Sequence, residues 1–171
     1  MRTLLSVVFL SISIVAFAQI DRMIINFRPA FMKRSQLIIQ KDSAGYTMSI
    51  KGEQVNEVVP INSASISRIS DFLPTYFVEK QRLDSIEMKE EEIREEQRKK
   101  GVGVYIANLD GITIRGYVFS QQTERGFEFW SPNKTSVNYT LMMLYFDLMK
   151  NSFVKPQTIN YISGLRDYFP K

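Results

Sequence analysis

The sequence predicts an α+β fold: an antiparallel or mixed sheet built from two β-hairpin-plus-strand units, with helices packed on one face, plus a charged surface helix. Two apolar-rich runs flank a turn composition at 42–45, where a glycine allows positive φ, and this predicts the first hairpin. A second hairpin is predicted around Asp110 and Gly111, and a further strand after it completes another hairpin at 112–130. Apolar residues recur at helical spacing after each hairpin, which predicts the helices.

The segment before the first hairpin has a different pattern. Residues 19–36 carry apolar side chains from Ile20 to Phe31 at roughly helical spacing, and Pro29 interrupts that spacing. This pattern predicts a short helix or an irregular arm that packs on the core.

A strand at 57–61 and a helix beginning near Ile66 follow the first hairpin, and Pro74 is predicted to end or kink that helix. Residues 79–100 then hold eight acidic and seven basic side chains with only a thin apolar stripe. This composition predicts a solvated helix on the surface. An oligomerisation helix is the alternative, although the stripe is shorter than a coiled coil needs.

The second half predicts a strand ending at Trp130 and two helices. Ser131 is predicted to cap the first of these helices, with Pro132 as its first residue. Its buried stripe is the strongest periodicity of the chain and consists of Val137, Leu141, Leu144, Tyr145, Leu148 and Met149. The last helix is predicted to begin at Thr158.

Two short stretches of the chain resemble each other. Residues 66–74 read ISRISDFLP, and residues 162–170 read ISGLRDYFP. This echo predicts two weakly similar units, about 37–77 and 101–170, joined by the charged helix 79–100 within a single domain, 19–171. Asp71 and Asp167 could instead be the two carboxylates of one acid site, but the structural interpretation is favoured.

The first eighteen residues have the layout of a cleaved signal peptide. Arg2 is followed by a short apolar region, and Ala16 and Ala18 are small residues at positions −3 and −1 of a cut before Gln19. The sequence therefore predicts an exported protein, periplasmic or secreted, without an integral membrane span. The short signal is typical of bacteria. Because the chain has no cysteine, packing alone must stabilise the mature protein.

Composition limits the chemistry that is open to this protein. The chain has neither histidine nor cysteine, which removes His–Cys zinc sites, Ser–His triads and thiol nucleophiles. Carboxylate pairs, Ser–Lys dyads and oxygen-ligand metal sites remain, but no motif for them or for a cofactor is found. A net charge of +4 is too small to indicate nucleic acid binding.

The candidate binding residues are Arg115, Tyr117, Glu128 and Trp130, all within the 112–130 hairpin. A one-residue slip in the pairing exchanges the two faces of a strand, so the register decides their role. One register gathers the aromatic side chains of both strands into the core. The other brings these four residues together as a charged and aromatic patch. The core register is the simpler prediction.

The sequence therefore favours a non-catalytic bacterial envelope protein that binds another envelope protein or a polysaccharide. One alternative is a carboxylate-based hydrolase acting on glycans or peptidoglycan. Another alternative is an assembly subunit that oligomerises through the helix at 79–100. No cofactor and no metal are expected.

Overall fold

The computed structural model describes residues 20–99, 111–121 and 123–170, with only the backbone at positions 87, 90, 94, 97 and 98. The predicted signal peptide at 1–18 and the first strand of the hairpin predicted around Asp110 lie outside these residues. The elements in chain order are β1 (Arg22–Pro29), β2 (Ser35–Asp42), β3 (Gly45–Gly52), β4 (Asn56–Ile61), α1 (Ser63–Lys99), β5 (Ile112–Ser120), β6 (Thr123–Trp130), α2 (Val137–Ser152) and α3 (Pro156–Arg166).

The strands form one six-stranded antiparallel sheet in the order β4-β3-β2-β1-β5-β6. Helices pack along one of its faces, so the predicted α+β fold is confirmed. β1 pairs with β2 on one side and with β5 on the other. It therefore joins the β2–β3 and β5–β6 hairpins into a single sheet.

The prediction of a short helix or irregular arm at 19–36 is wrong over 22–29. These residues form β1, in the middle of the sheet. Met23, Ile25 and Phe27 alternate with outward-pointing neighbours and are fully buried, which is the period of a strand. Ile24 is the reason for the wrong prediction. It is an apolar residue on the outer face of the strand, and together with Met23 and Phe27 it gives the spacing of a helix.

The first hairpin is confirmed, with its turn between β2 and β3. Asp42 pairs with Gly45, which leaves a loop of two residues. Gly45 has φ of +138°, a conformation that residues with a Cβ rarely adopt. The Ala44 N–H donates a hydrogen bond of 2.8 Å to Asp42 Oδ1, which closes the turn.

α1 continues through Pro74 instead of ending there, and it includes the charged segment predicted as a separate helix. A proline inside a helix costs roughly 3 kcal/mol. Burial of Ile69, Leu73 and Tyr76 around it offsets this cost. Beyond Phe77 the described side chains of α1 are exposed or half-buried. No described helix is long and apolar enough to cross a membrane.

α2 begins five residues later than predicted. Its N-cap is Ser136, whose Oγ accepts a hydrogen bond from the Tyr139 N–H. Ser131, the predicted cap, instead accepts a 2.9 Å hydrogen bond from the Ile112 N–H and ties β6 to β5. The buried residues of α2 are Leu141, Met142, Tyr145, Phe146, Leu148 and Met149. The predicted stripe is thus largely buried, with Val137 and Leu144 at its half-buried margin.

A buried carboxylate fixes β4 to the start of α3. Glu57 is only 3% exposed and accepts hydrogen bonds from the backbone N–H groups of Val154 and Lys155, at 3.1 and 3.2 Å. Burial raises the pKa of Glu57, but these bonds and one from the Thr158 hydroxyl outweigh it and hold the pKa below its ordinary value. The charge also lies favourably at a helix N-terminus.

Candidate binding surface on the open face of the sheet

No described helix covers the second face of the sheet, which is called the open face below. Successive residues of a strand point to opposite sides, so register and burial assign the members of this face. They are Arg22, Ile24, Asn26 and Arg28 from β1; Gln36, Ile38 and Gln40 from β2; Thr47, Ser49 and Lys51 from β3; Asn56, Val58 and Pro60 from β4; Thr113, Arg115, Tyr117 and Phe119 from β5; and Glu124, Gly126, Glu128 and Trp130 from β6.

Of the two registers that the sequence allows for β5 and β6, the structure has the one that brings the four candidate residues together. Arg115 pairs with Glu128, and Thr113 pairs with Trp130. All four candidate residues therefore share the open face. The favoured core register, with the aromatic residues of both strands buried together, is wrong.

A glycine on β5 explains this register. Phe127 points to the covered face, where its ring lies over Gly116 so closely that an alanine Cβ there would overlap the ring. The ring also packs edge-on against Tyr76 of α1, with centroids 5.5 Å apart. A slip by one residue would pair Phe127 with Arg115 or Tyr117, which leave no room for its ring.

An ion pair joins the two strands on the open face. Arg115 donates from Nε and Nη2 to Glu128 Oε2, at 2.8 and 2.6 Å. The hydrogen bond to Glu128, followed by its charge, raises the pKa of Arg115. The Arg115 carbonyl accepts from Asn26 Nδ2, and Asn26 Oδ1 accepts from Gln36 Nε2. A polar row thus crosses four strands, in which Glu128 holds the guanidinium and Asn26 holds the Arg115 backbone.

Both aromatic candidates lie beside glycine backbones. Two ring atoms of Tyr117 are 3.6 Å from the position that a Cβ on Gly126 would take. Trp130 lies so close to Gly111 that a Cβ there would overlap its ring. Without a Cβ, glycine allows a ring to rest on the chain itself. Trp130 nevertheless stays 41% exposed.

Apolar side chains form a narrow row across the middle of the open face. Val58 pairs with Ser49, Ser49 with Ile38, Ile38 with Ile24, and Ile24 with Tyr117. The rows on either side consist mostly of amide, hydroxyl and charged side chains. The result is an apolar strip one residue wide between polar borders.

The open face carries excess positive charge. Its cations are Arg22, Arg28, Lys51 and Arg115, and its acids are Glu124 and Glu128. Only Arg115 among these cations has an acidic partner within the described part of the chain. This surface should therefore attract anions.

The aspartates of the sequence echo do not meet. Asp71 lines a concavity of about 600 Å³ beside Tyr46 and the start of α1. Asp167 lines another, of about 480 Å³, between α2 and α3. Within the described residues no group of three or more acidic side chains could hold a metal ion. The two-unit interpretation of the echo stays a prediction.

No family model, curated protein sequence or solved structure matches this chain. Its candidate role therefore depends on the register, charge and exposure of the open face. Asn26, Gln36 and Arg28 belong to this surface but were missed from the sequence. The alternation of Met23, Ile25 and Phe27 was the signal that could have revealed Asn26 and Arg28.

Proposed function

We propose that this protein is an exported, non-catalytic binding protein whose open face holds an extended polysaccharide. The observation that carries the proposal is the β5–β6 register, which brings Tyr117 and exposed Trp130 beside the Arg115–Glu128 pair. Aromatic rings stack on the apolar faces of sugars, while charged groups and amides bond to the hydroxyls. The layout of residues 1–18 supports export.

The shape of the apolar strip favours a chain-like ligand over a protein partner. Protein interfaces have a broad apolar core that is depleted in charged residues. Here Ile24, Ile38 and Tyr117 lie in a single row with polar side chains on both sides. Six strands spaced about 4.8 Å apart span roughly 24 Å, which is enough for several sugar rings in line.

Calorimetric titration with soluble polysaccharides tests this proposal, with polygalacturonate and neutral dextran as the first two ligands. Trp130→Ala is expected to weaken polysaccharide binding about tenfold or more, because its exposed ring offers a large aromatic surface for stacking on a sugar. The control is Val154→Ala, which removes an exposed apolar side chain outside the open face and should leave binding unchanged.

Two results would contradict the proposal. One is wild-type protein that binds neither polysaccharide, while a protein partner is captured in a manner that depends on Trp130. The other is a loss of thermal stability in Trp130→Ala as large as that of a core truncation, which would make Trp130 a structural residue.

The second half of α1 supports one further candidate function, self-assembly. Ile86, Met88 and Ile93 are large, exposed apolar side chains on this half. If α1 joins copies of the chain, deletion of 82–98 lowers the mass measured by light scattering to that of a monomer. A full-length chain that is already monomeric at high concentration would rule this out.

A further inference from the structure

We infer that the polysaccharide is acidic, and that Arg28, Arg34 and Lys51 form the subsite for its anionic groups. This inference rests on the proposed function and specifies the ligand class for the same face. The shared chemistry is a carboxylate or a sulfate carried on a sugar ring. Both are anions with several acceptor oxygens, and arginine binds such groups through two parallel hydrogen bonds.

The three cations come together at one end of the open face. Arg28 is near the end of β1, Arg34 directly precedes β2, and Lys51 is near the end of β3. All three are exposed, and they line one concavity of about 420 Å³ together with Asn26 and Gln36. The two amides add hydrogen-bonding groups to a pocket whose charged side chains are all basic.

The positive charge of this subsite is not balanced by acidic side chains within the described part of the chain. No acidic side chain in the described ranges pairs with Arg28, Arg34 or Lys51. Glu53, which lies close in sequence, is bound to Lys33 at 3.0 Å. By contrast, Arg115 and Arg82 each have an acidic partner. Cations gathered without a counter-charge repel one another, and a bound anion would remove that repulsion.

The subsite is continuous with the aromatic patch. Arg28 pairs with Thr113, and Thr113 pairs with Trp130. Two strand spacings, about 10 Å, therefore separate the backbones at Arg28 and Trp130. A polymer with an acidic group on each repeating unit can stack a ring on Trp130 and present a carboxylate or sulfate to Arg28.

Matched charge-removing variants test the inference. Lys51→Gln and Arg28→Gln each remove one charge from the subsite, whereas Lys89→Gln removes the same charge from an exposed position on α1. Each subsite variant is expected to bind polygalacturonate about tenfold more weakly, which corresponds to the loss of one charge-assisted hydrogen bond. Lys89→Gln should bind like wild type, and neutral dextran should not distinguish the variants.

Dextran sulfate in a parallel titration distinguishes the two anion sources, because the tighter-bound polymer identifies the group. Rising salt should weaken binding of the acidic polymers but not of dextran. Equal wild-type affinity for neutral and acidic polymers, or equal losses in Lys51→Gln and Lys89→Gln, would overturn the inference. Either result would leave the proposed function intact if Trp130→Ala still lost binding. If Arg28→Gln fails to fold, Lys51→Gln and the salt series decide the question.

Discussion

The two faces of the sheet use the same six strands for opposite purposes. On the covered face Met23, Ile25 and Phe27 are fully buried beneath the helices. On the open face their neighbours Ile24 and Asn26 are half-buried and lie among charged side chains. Apolar residues thus occur on both faces, but the described helices cover only one of them. The same strands therefore form a core on one side, while on the other side they form a surface that the described helices leave open.

The largest expected contrast comes from two aromatic residues on β6. Phe127→Ala removes a 5% exposed ring between the sheet and α1 and should lower the free energy of unfolding by about 3–5 kcal/mol. Trp130→Ala, three residues further on the open face, should cost about 1 kcal/mol or less. Urea denaturation of the two variants measures both values. Equal losses would break the distinction between the faces.

Two glycines give a similar contrast on a smaller scale. Gly116→Ala directs a methyl group into the Phe127 ring on the covered face and should destabilise the protein by about 1–3 kcal/mol. Gly126→Ala places its methyl group 3.6 Å from Tyr117, an ordinary contact, and should change stability by less than about 0.5 kcal/mol. Thermal denaturation compares them, and a stable Gly116→Ala protein would refute the close packing of Phe127.

Two glutamates, one on each face, should affect the pH dependence of stability differently. The folded pKa of Glu57 is lowered, so its stabilising contribution is complete above the unfolded value of about 4.3 and is lost as the pH falls through the folded pKa. Glu57→Gln should therefore lower stability at pH 7 by about 1–2 kcal/mol and flatten the loss of stability below about pH 4.3.

Glu128→Gln on the open face is the control, because it breaks an exposed ion pair and should change stability much less than Glu57→Gln. Urea denaturation from pH 3 to pH 7 measures both. Parallel stability curves for wild type and Glu57→Gln would contradict the role given to this carboxylate.

Local patterns in the sequence predicted much of the fold. The turn at 42–45 has a glycine where positive φ is required, and the stripe of α2 repeats at helical spacing, so both features follow from nearby residues. The prediction of the α2 N-cap was wrong because Ser131 and Ser136 are both residues that commonly cap helices. Only the hydrogen bond of Ser131 to β5, nineteen residues away, decides between them.

Features that depend on distant partners were not predictable. The helix continues through Pro74 because packing on both sides of it outweighs the local cost. The four candidate residues of the open face were named from the sequence, but their arrangement depended on a register that Gly116 and Phe127 fix. The role of Glu57 arises from backbone groups almost one hundred residues away.

The tryptophan at position 130 is the only one in the chain, so its fluorescence reports on the open face alone. Quenching by acrylamide with and without polygalacturonate is the most direct test of the claim that this face is the binding surface. We expect the free protein to be quenched readily and the saturated protein to be protected. Polysaccharide binding, established by calorimetry, that leaves the quenching of Trp130 unchanged would contradict it.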